Sequence, residues 1–159
     1  MIPKWKKFEN EVQGLFLSRL KKEPLMYHRF YDTASANGGF LPAQPGDHLV
    51  IWKGVPILIE TKLSEKHDSL RSCFSGHVKN HQIGSHRLWL RAGAITLIVF
   101  KGATGTVEVW GGRHCVDQRT EGRPLKKGGQ LKVGDTIKSA LSGILVPEKE
   151  RPEGEIIIL

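Results

Sequence analysis

Residues 45–62 read PGDHLVIWKGVPILIETK: two apolar runs meeting near Gly54, with an aspartate before the first and a glutamate and a lysine late in the second. The β-branched and aliphatic content of both runs predicts a hairpin, HLVIWK followed by VPILIETK, and Gly54 suits the positive φ that tight turns demand. Pro56 has no N–H to donate, so its nitrogen must face no ladder partner. In an antiparallel pair turning at Gly54, position 47 falls opposite 60 or 61. Side chains alternate along a strand, so Glu60 and Lys62 share one face while Ile57, Ile59 and Thr61 occupy the other. Asp47 and Glu60 are therefore expected to approach one another.

Two carboxylates brought together beside apolar strands repel, and burial penalises each charge further. A cation between them relieves both costs. Mg²⁺ fits the demand, being a hard ion that takes oxygen ligands and keeps several waters. A protonated Lys62 cannot ligate such an ion, but its ammonium can stabilise charge on a phosphate or position an attacking water. Carboxylate, carboxylate and lysine around Mg²⁺ suit phosphodiester hydrolysis. The plainer alternative is a turn-starting Asp47 and an exposed Glu60–Lys62 pair, which contributes little to stability.

Around the hairpin, Trp5, Phe8, Val12, Leu15, Phe16 and Leu20 recur at helical spacing, predicting an amphipathic helix that stops before Pro24, with Gly14 a mild defect. LMYHRFY (25–31) reads as a strand, and ASANGGFLPAQPG (34–46) as a polar loop. HVKNHQIGSHRLWLRAG (77–93) predicts one helix ending at Gly93, weakened at Gly84. AITLIVFK (94–101) reads as a buried strand and TVEVWGG (106–112) as another. The expected fold class is α/β: a central mixed sheet with the catalytic hairpin in its middle, flanked by helices. Residues 1–159 are expected to form a single domain. Its core spans about 5–112, and a basic, Gly-rich extension of loops or peripheral structure covers about 113–159.

The spacing GD, twelve residues, then ETK resembles the PD-(D/E)xK nuclease superfamily, whose D…ExK signature spans such a hairpin. FENEV (8–12) is similar to the acidic start of the first helix in Holliday-junction resolvases, where a glutamate turns inward to the metal. On a helical wheel Glu9 falls within the apolar arc and Glu11 at its edge, so Glu9 is the better candidate. HQIGSHRLWLRAGAITLIVF (81–100) resembles the helix-to-strand segment of RecU-like resolvases and VRR-NUC nucleases, in which a glutamine follows the ExK strand; here it is Gln82. The resemblance covers residues 8–101. It implies a restriction-endonuclease-like core, Mg²⁺ dependence with Mn²⁺ as a substitute, a DNA substrate, branched DNA first among them, and a homodimer. It also implies that Asp47, Glu60 and the backbone carbonyl of Thr61 hold the metal, with Glu9 acting directly or through water. The loop from about Asp32 to Gly46 is short where RecU-like enzymes carry a long stalk, which weakens the case for junction selectivity. An endonuclease acting on flaps, nicks or duplex and a non-catalytic DNA-binding module are the rival readings.

Lys plus Arg exceed Asp plus Glu, 24 against 16, for a net charge of +8. That balance favours a polyanionic partner. Lys79, Arg87, Arg91, Arg113, Arg119, Arg123, Lys126 and Lys127 are the candidate phosphate contacts, and binding through several of them should weaken steeply with salt. His77 and His81, at i and i+4, could share a helix face and hold Zn²⁺ with His67 or His86, although no HExxH accompanies them. Trp52, Trp89 and Trp110 sit in apolar patterns and read as core. Cys73 and Cys115 have no metal or disulfide spacing, and a reducing, cytoplasmic setting fits them. No apolar run approaches the roughly 20 residues of a membrane span.

Overall fold

The computed structural model describes residues 1–22, 24–31, 44–142, 145–146 and 157–158. Most of the expected polar loop at 34–46, and the short-stalk reading attached to it, lie outside them. The first helix, α1 (Lys4–Leu20), buries Phe8, Val12 and Phe16, one turn apart on a single stripe. Each such side chain contributes about 1.5–3 kcal/mol on burial. Trp5, expected on the same stripe, is 45% exposed. It sits in the first turn, near Leu63 and Ser64 where the third strand of the sheet runs out.

Strand β1 (Leu25–Arg29) pairs antiparallel with β2 (His48–Trp52), and β2 with β3 (Val55–Leu63). Trp52 and Val55 close the hairpin. Its two turn residues, Lys53 and Gly54, have φ of 49° and 82°, and two successive positive values are the pattern of a type I′ turn, whose twist matches that of the strands. In this register Pro56 is the second pair from the turn, opposite Ile51. Such a position points its nitrogen away from β2, and the ladder to β4 begins only at Ile57. Its missing N–H therefore breaks no bond.

The chain then forms α2 (Leu70–His77) and α3 (Asn80–Arg91) before β4 (Ile95–Lys101), which runs parallel to β3, with β5 (Val107–Gly111) antiparallel beyond it. The single helix expected over 77–93 is thus a correction: His77 ends one helix and a second starts at Asn80. Val78 and Lys79 are extended, with ψ of 112° and 157°. Arg119 stabilises the break, donating to the Val78 carbonyl at 2.8 Å, the Phe74 carbonyl at 3.3 Å and the Asn80 side chain at 2.8 Å. Helix α2 itself arises in a polar stretch with little apolar periodicity. Ser69 caps it, and the buried Glu108 of β5 accepts from Leu70 N–H at 3.0 Å and from Trp110 Nε1–H at 2.8 Å.

The segment after Gly112, read as loops or peripheral structure, includes among its described residues regular elements at the periphery of the sheet. It contains α4 (Gly112–Thr120), β6 (Gln130–Gly134), which extends the sheet beside β5, and α5 (Ile137–Leu141), capped by Thr136. Two short strands, β7 (Leu145–Val146) and β8 (Ile157–Ile158), form a separate pair. Few apolar residues suffice because Cys115, Val116, Leu125, Ile137, Ala140 and Leu141 are all buried. Helix α4 packs so closely on β4 that a Cβ at Gly112 would stand 2.7 Å from the Thr96 carbonyl oxygen and run into its side chain. Gly112→Ala is expected to lower stability by about 1–3 kcal/mol, the cost of overpacking, read as a reduced urea midpoint.

The main sheet has the order β1-β2-β3-β4-β5-β6, mixed, with the hairpin strand β3 and β4 in its middle. One face packs Val50, Ile57, Ile59, Leu97 and Val99 against α1 and α5. The opposite face packs Ile98, Phe100 and Trp110 against α2, α3 and α4. Trp52 and Trp110 are buried, as expected, Trp89 is half-buried, and both cysteines are buried outside any disulfide. No helix among the described residues is long and apolar enough to cross a membrane.

Candidate active site

The hairpin register places His48 opposite Ile59, and Asp47 N–H donates to the Ile59 carbonyl at 3.1 Å, so Asp47 and Glu60 come next on the open end. Strand β2 begins only at His48, which would leave Thr61 N–H without a strand to bond. Asp47 supplies the acceptor: its Oδ2 takes the Thr61 N–H at 2.7 Å and the Thr61 hydroxyl at 2.6 Å. Alternation had assigned the Thr61 side chain to the face away from the acids. It reaches Asp47 because the aspartate lies past the last ladder pair and its carboxylate closes over the strand end. This was the contact least visible in the sequence.

Glu60 is 3% exposed. Its Oε1 receives the Lys62 ammonium at 2.8 Å and the Gln82 side-chain amide. Burial raises its pKa first, the Asp47 carboxylate second; Lys62 opposes them, Glu9 adds a smaller push, and the result is about 7 against an ordinary 4.5. Gln82 joins two elements of the site. Its Oε1 accepts from the Lys79 N–H at 2.9 Å while its amide holds Glu60. The start of α3 is thereby tied to the acid. Farther along the same helix Ser85 donates to the Pro45 carbonyl at 2.5 Å, so α3 holds both Glu60 itself and the chain just before Asp47.

On α1, Glu9 is the inward acid and Glu11 the outward one, which pairs with Lys101 at 3.2 Å at the surface. Glu9 meets the buried Arg29 of β1 at 2.7 Å. Arg29 also donates to Asn10 and Gln13 at 2.6 and 2.7 Å, a clamp that the sequence did not announce except as one arginine in an apolar strand. Beneath it Tyr27 and His48 share a 2.7 Å hydrogen bond. Burial, then Arg29, pulls the His48 pKa down to about 3, and burial chiefly raises that of Tyr27. His86 of α3 is fully buried, with its pKa lowered to about 4 by burial and then by Lys62.

Among the described residues no three His, Cys, Asp or Glu side chains form a ready-made metal cluster. The Zn²⁺ reading of His77 and His81 does not survive: the break at Val78 removes their shared helix face, and His77 instead sets its ring edge to face on His67, 5.9 Å away. The acid pair does fit a hard divalent cation. Asp47 and Glu60 are oxygen donors whose mutual repulsion and burial disfavour a second negative charge, and Mg²⁺ sites commonly use one or two carboxylates with retained waters.

The basic candidates divide. Lys79, Arg87, Arg91, Lys126 and Lys127 are exposed, although Lys79 donates to the Gly76 carbonyl and Arg87 to the Thr120 hydroxyl, each at 2.8 Å. Arg123 pairs with Glu121 at 2.9 Å in solvent, and Arg113 is half-buried. Arg119 is the one most engaged within the fold: its guanidinium serves the α2–α3 junction and stacks 4.7 Å above Phe74.

No family model matches the chain, and no curated protein matches it in sequence. Among solved structures it is similar to the 1.6 Å structure of Hjc, a Holliday junction resolvase from the hyperthermophilic archaeon Archaeoglobus fulgidus. The TM-score is 0.43 and the identity 12%, over 66% of this chain and 77% of that one.

Proposed function

We propose that this chain is a Mg²⁺-dependent endonuclease of the PD-(D/E)xK type that hydrolyses phosphodiester bonds in DNA, with four-way and other branched junctions as its substrate. The observation that carries the reading is a buried Glu60 beside Asp47, with the Lys62 ammonium 2.8 Å from its carboxylate, at the open end of a hairpin inside a mixed sheet.

Asp47, Glu60 and the Thr61 backbone carbonyl would hold the cation, with Glu9 contributing through water; Mn²⁺ would substitute. When bound, such an ion supplies Lewis-acid polarisation of the phosphoryl group and a more acidic water. The protein's own part is positioning. Thr61 fixes one Asp47 oxygen, and Gln82 and Lys62 fix one Glu60 oxygen. Lys62 offers N–H donors to orient the attacking water and to stabilise charge growing on the phosphate. In-line attack then leaves a 5′-phosphate and a 3′-hydroxyl. Lys79, Arg87, Arg91, Arg113, Arg123, Lys126 and Lys127 supply phosphate contacts, and a homodimer would present two such sites to a two-fold junction.

Labelled junction, flap and linear DNAs incubated with Mg²⁺ or EDTA test the proposal. Expected are paired symmetric nicks on the junction with Mg²⁺ and none with EDTA. Asp47→Ala should lose cleavage by on the order of 10³-fold and keep its DNA affinity within about twofold, because the binding charge lies elsewhere. Normal cleavage by that variant, or cutting in EDTA, would remove the assignment; cutting confined to flaps or duplex would move it to a repair-type nuclease.

A further inference from the structure

Strand β3 does not end at the reactive residues. One residue beyond Lys62, Leu63 forms part of the wall of an open cleft of about 460 Å³ between the start of α1, the end of β3 and the end of α2, a size within the roughly 300–1,000 Å³ range of small-ligand sites. Trp5, Lys4, Lys66, His67 and His77 also line it. Trp5 is the tryptophan that helical spacing assigned to the core, and it stands 45% exposed there. A large aromatic surface left in water, in a cleft whose wall residue His77 feels the Lys62 charge, asks for an occupant. His67 and His77 meet edge to face at 5.9 Å, which adds a second aromatic surface, and Lys66 is exposed at the rim. Lys4 is there too, paired with Glu65 at 2.9 Å. Aromatic faces with ammonium groups at the rim match a ligand with a flat π-face and a phosphate attached.

We propose that this cleft receives an unpaired nucleobase of the DNA strand, stacked on Trp5. The idea rests on the nuclease reading and sharpens its substrate class: DNA whose strand leaves the duplex at the site, since a base within an intact helix cannot reach a wall pocket without being unstacked. Stacking of this kind tolerates any base, because each presents a π-face.

The test is binding, in EDTA, of a twelve-residue thymidine strand and of an abasic strand of the same length and charge. The wild-type chain should prefer the thymidine strand by about tenfold, the low end of what one stacked base contributes. Trp5→Ala should bring the preference within about twofold, and Trp5→Phe should retain most of it. Since Trp5 is half in solvent, both variants are expected to melt within a few degrees of wild type. Equal affinity of the wild type for both strands, or a preference unchanged in Trp5→Ala, would overturn the cleft. A base preference together with no Mg²⁺-dependent cutting of any DNA would uphold the cleft and sink the nuclease reading; cutting without the preference would do the reverse.

Discussion

Replacing Glu60 with glutamine is expected to abolish cleavage and, at pH 8 without metal, to raise the melting temperature. The first effect follows from losing the carboxylate that a cation and Lys62 both need, and should reach about 10³-fold in rate. The second follows from proton linkage. Glu60 has a pKa of about 7 in the folded chain against an ordinary 4.5, so the native state holds its proton more tightly than the unfolded state. The stability this contributes is fully present below about pH 4.5 and is lost as pH rises through about 7. At pH 8 the wild type carries the ionised, buried acid at its full cost, which an amide avoids. The shift corresponds to about 3 kcal/mol, part of which Glu60→Gln forfeits with the Lys62 pair, so a gain of about 1–2 kcal/mol is expected. Glutamine can still accept from Gln82. Melting curves from pH 5 to 9 should show the two proteins converging toward the acid end. Added Mg²⁺ should raise the wild-type transition at pH 8 and leave the variant where it is. A variant that cuts DNA, or one that melts below wild type at pH 8, contradicts the site as described.

The largest stability loss is expected from Arg29→Met. Its guanidinium is buried and donates to Glu9, Asn10 and Gln13 within 2.7 Å, so the variant removes the positive charge beside a half-buried carboxylate and three hydrogen bonds together. Breaking one partner of such a pair costs about 3–5 kcal/mol. Replacing both charges by apolar groups of similar size should be much milder, so Glu9→Leu combined with Arg29→Met is expected to recover at least half of the loss. Urea unfolding of the single and double variants gives the comparison. A loss below about 1 kcal/mol for Arg29→Met would mean that the clamp is ornamental to the fold.

Both predictions turn on residues of different legibility. Glu60 was readable because a strand's alternation and a hairpin's register are local rules: the turn at Lys53–Gly54 sets which residues face each other, and Asp47, Glu60 and Lys62 follow by counting. Arg29 was not, since nothing in LMYHRFY says that three acceptors on a helix some twenty residues earlier will surround it. Gln82 was found by resemblance, yet its hold on Glu60 depends on how α3 is set across the sheet.

The sequence by itself determined the elements whose rules act within a few residues: the amphipathic first helix, the hairpin with its three charges, the helix end at Gly93 and the two apolar strands after it. Only the tertiary structure decided the rest. The 77–93 segment splits because Arg119, forty residues on, takes the carbonyls of the break; α2 forms because Glu108 accepts its first N–H; α4 seats because Gly112 has no side chain to hold it away from Thr96. Trp5 has the spacing of a core residue yet stands half in solvent, beside the residues that follow the end of β3. In each case the deciding partner is distant in the chain, and periodicity carries no information about where such a partner will stand.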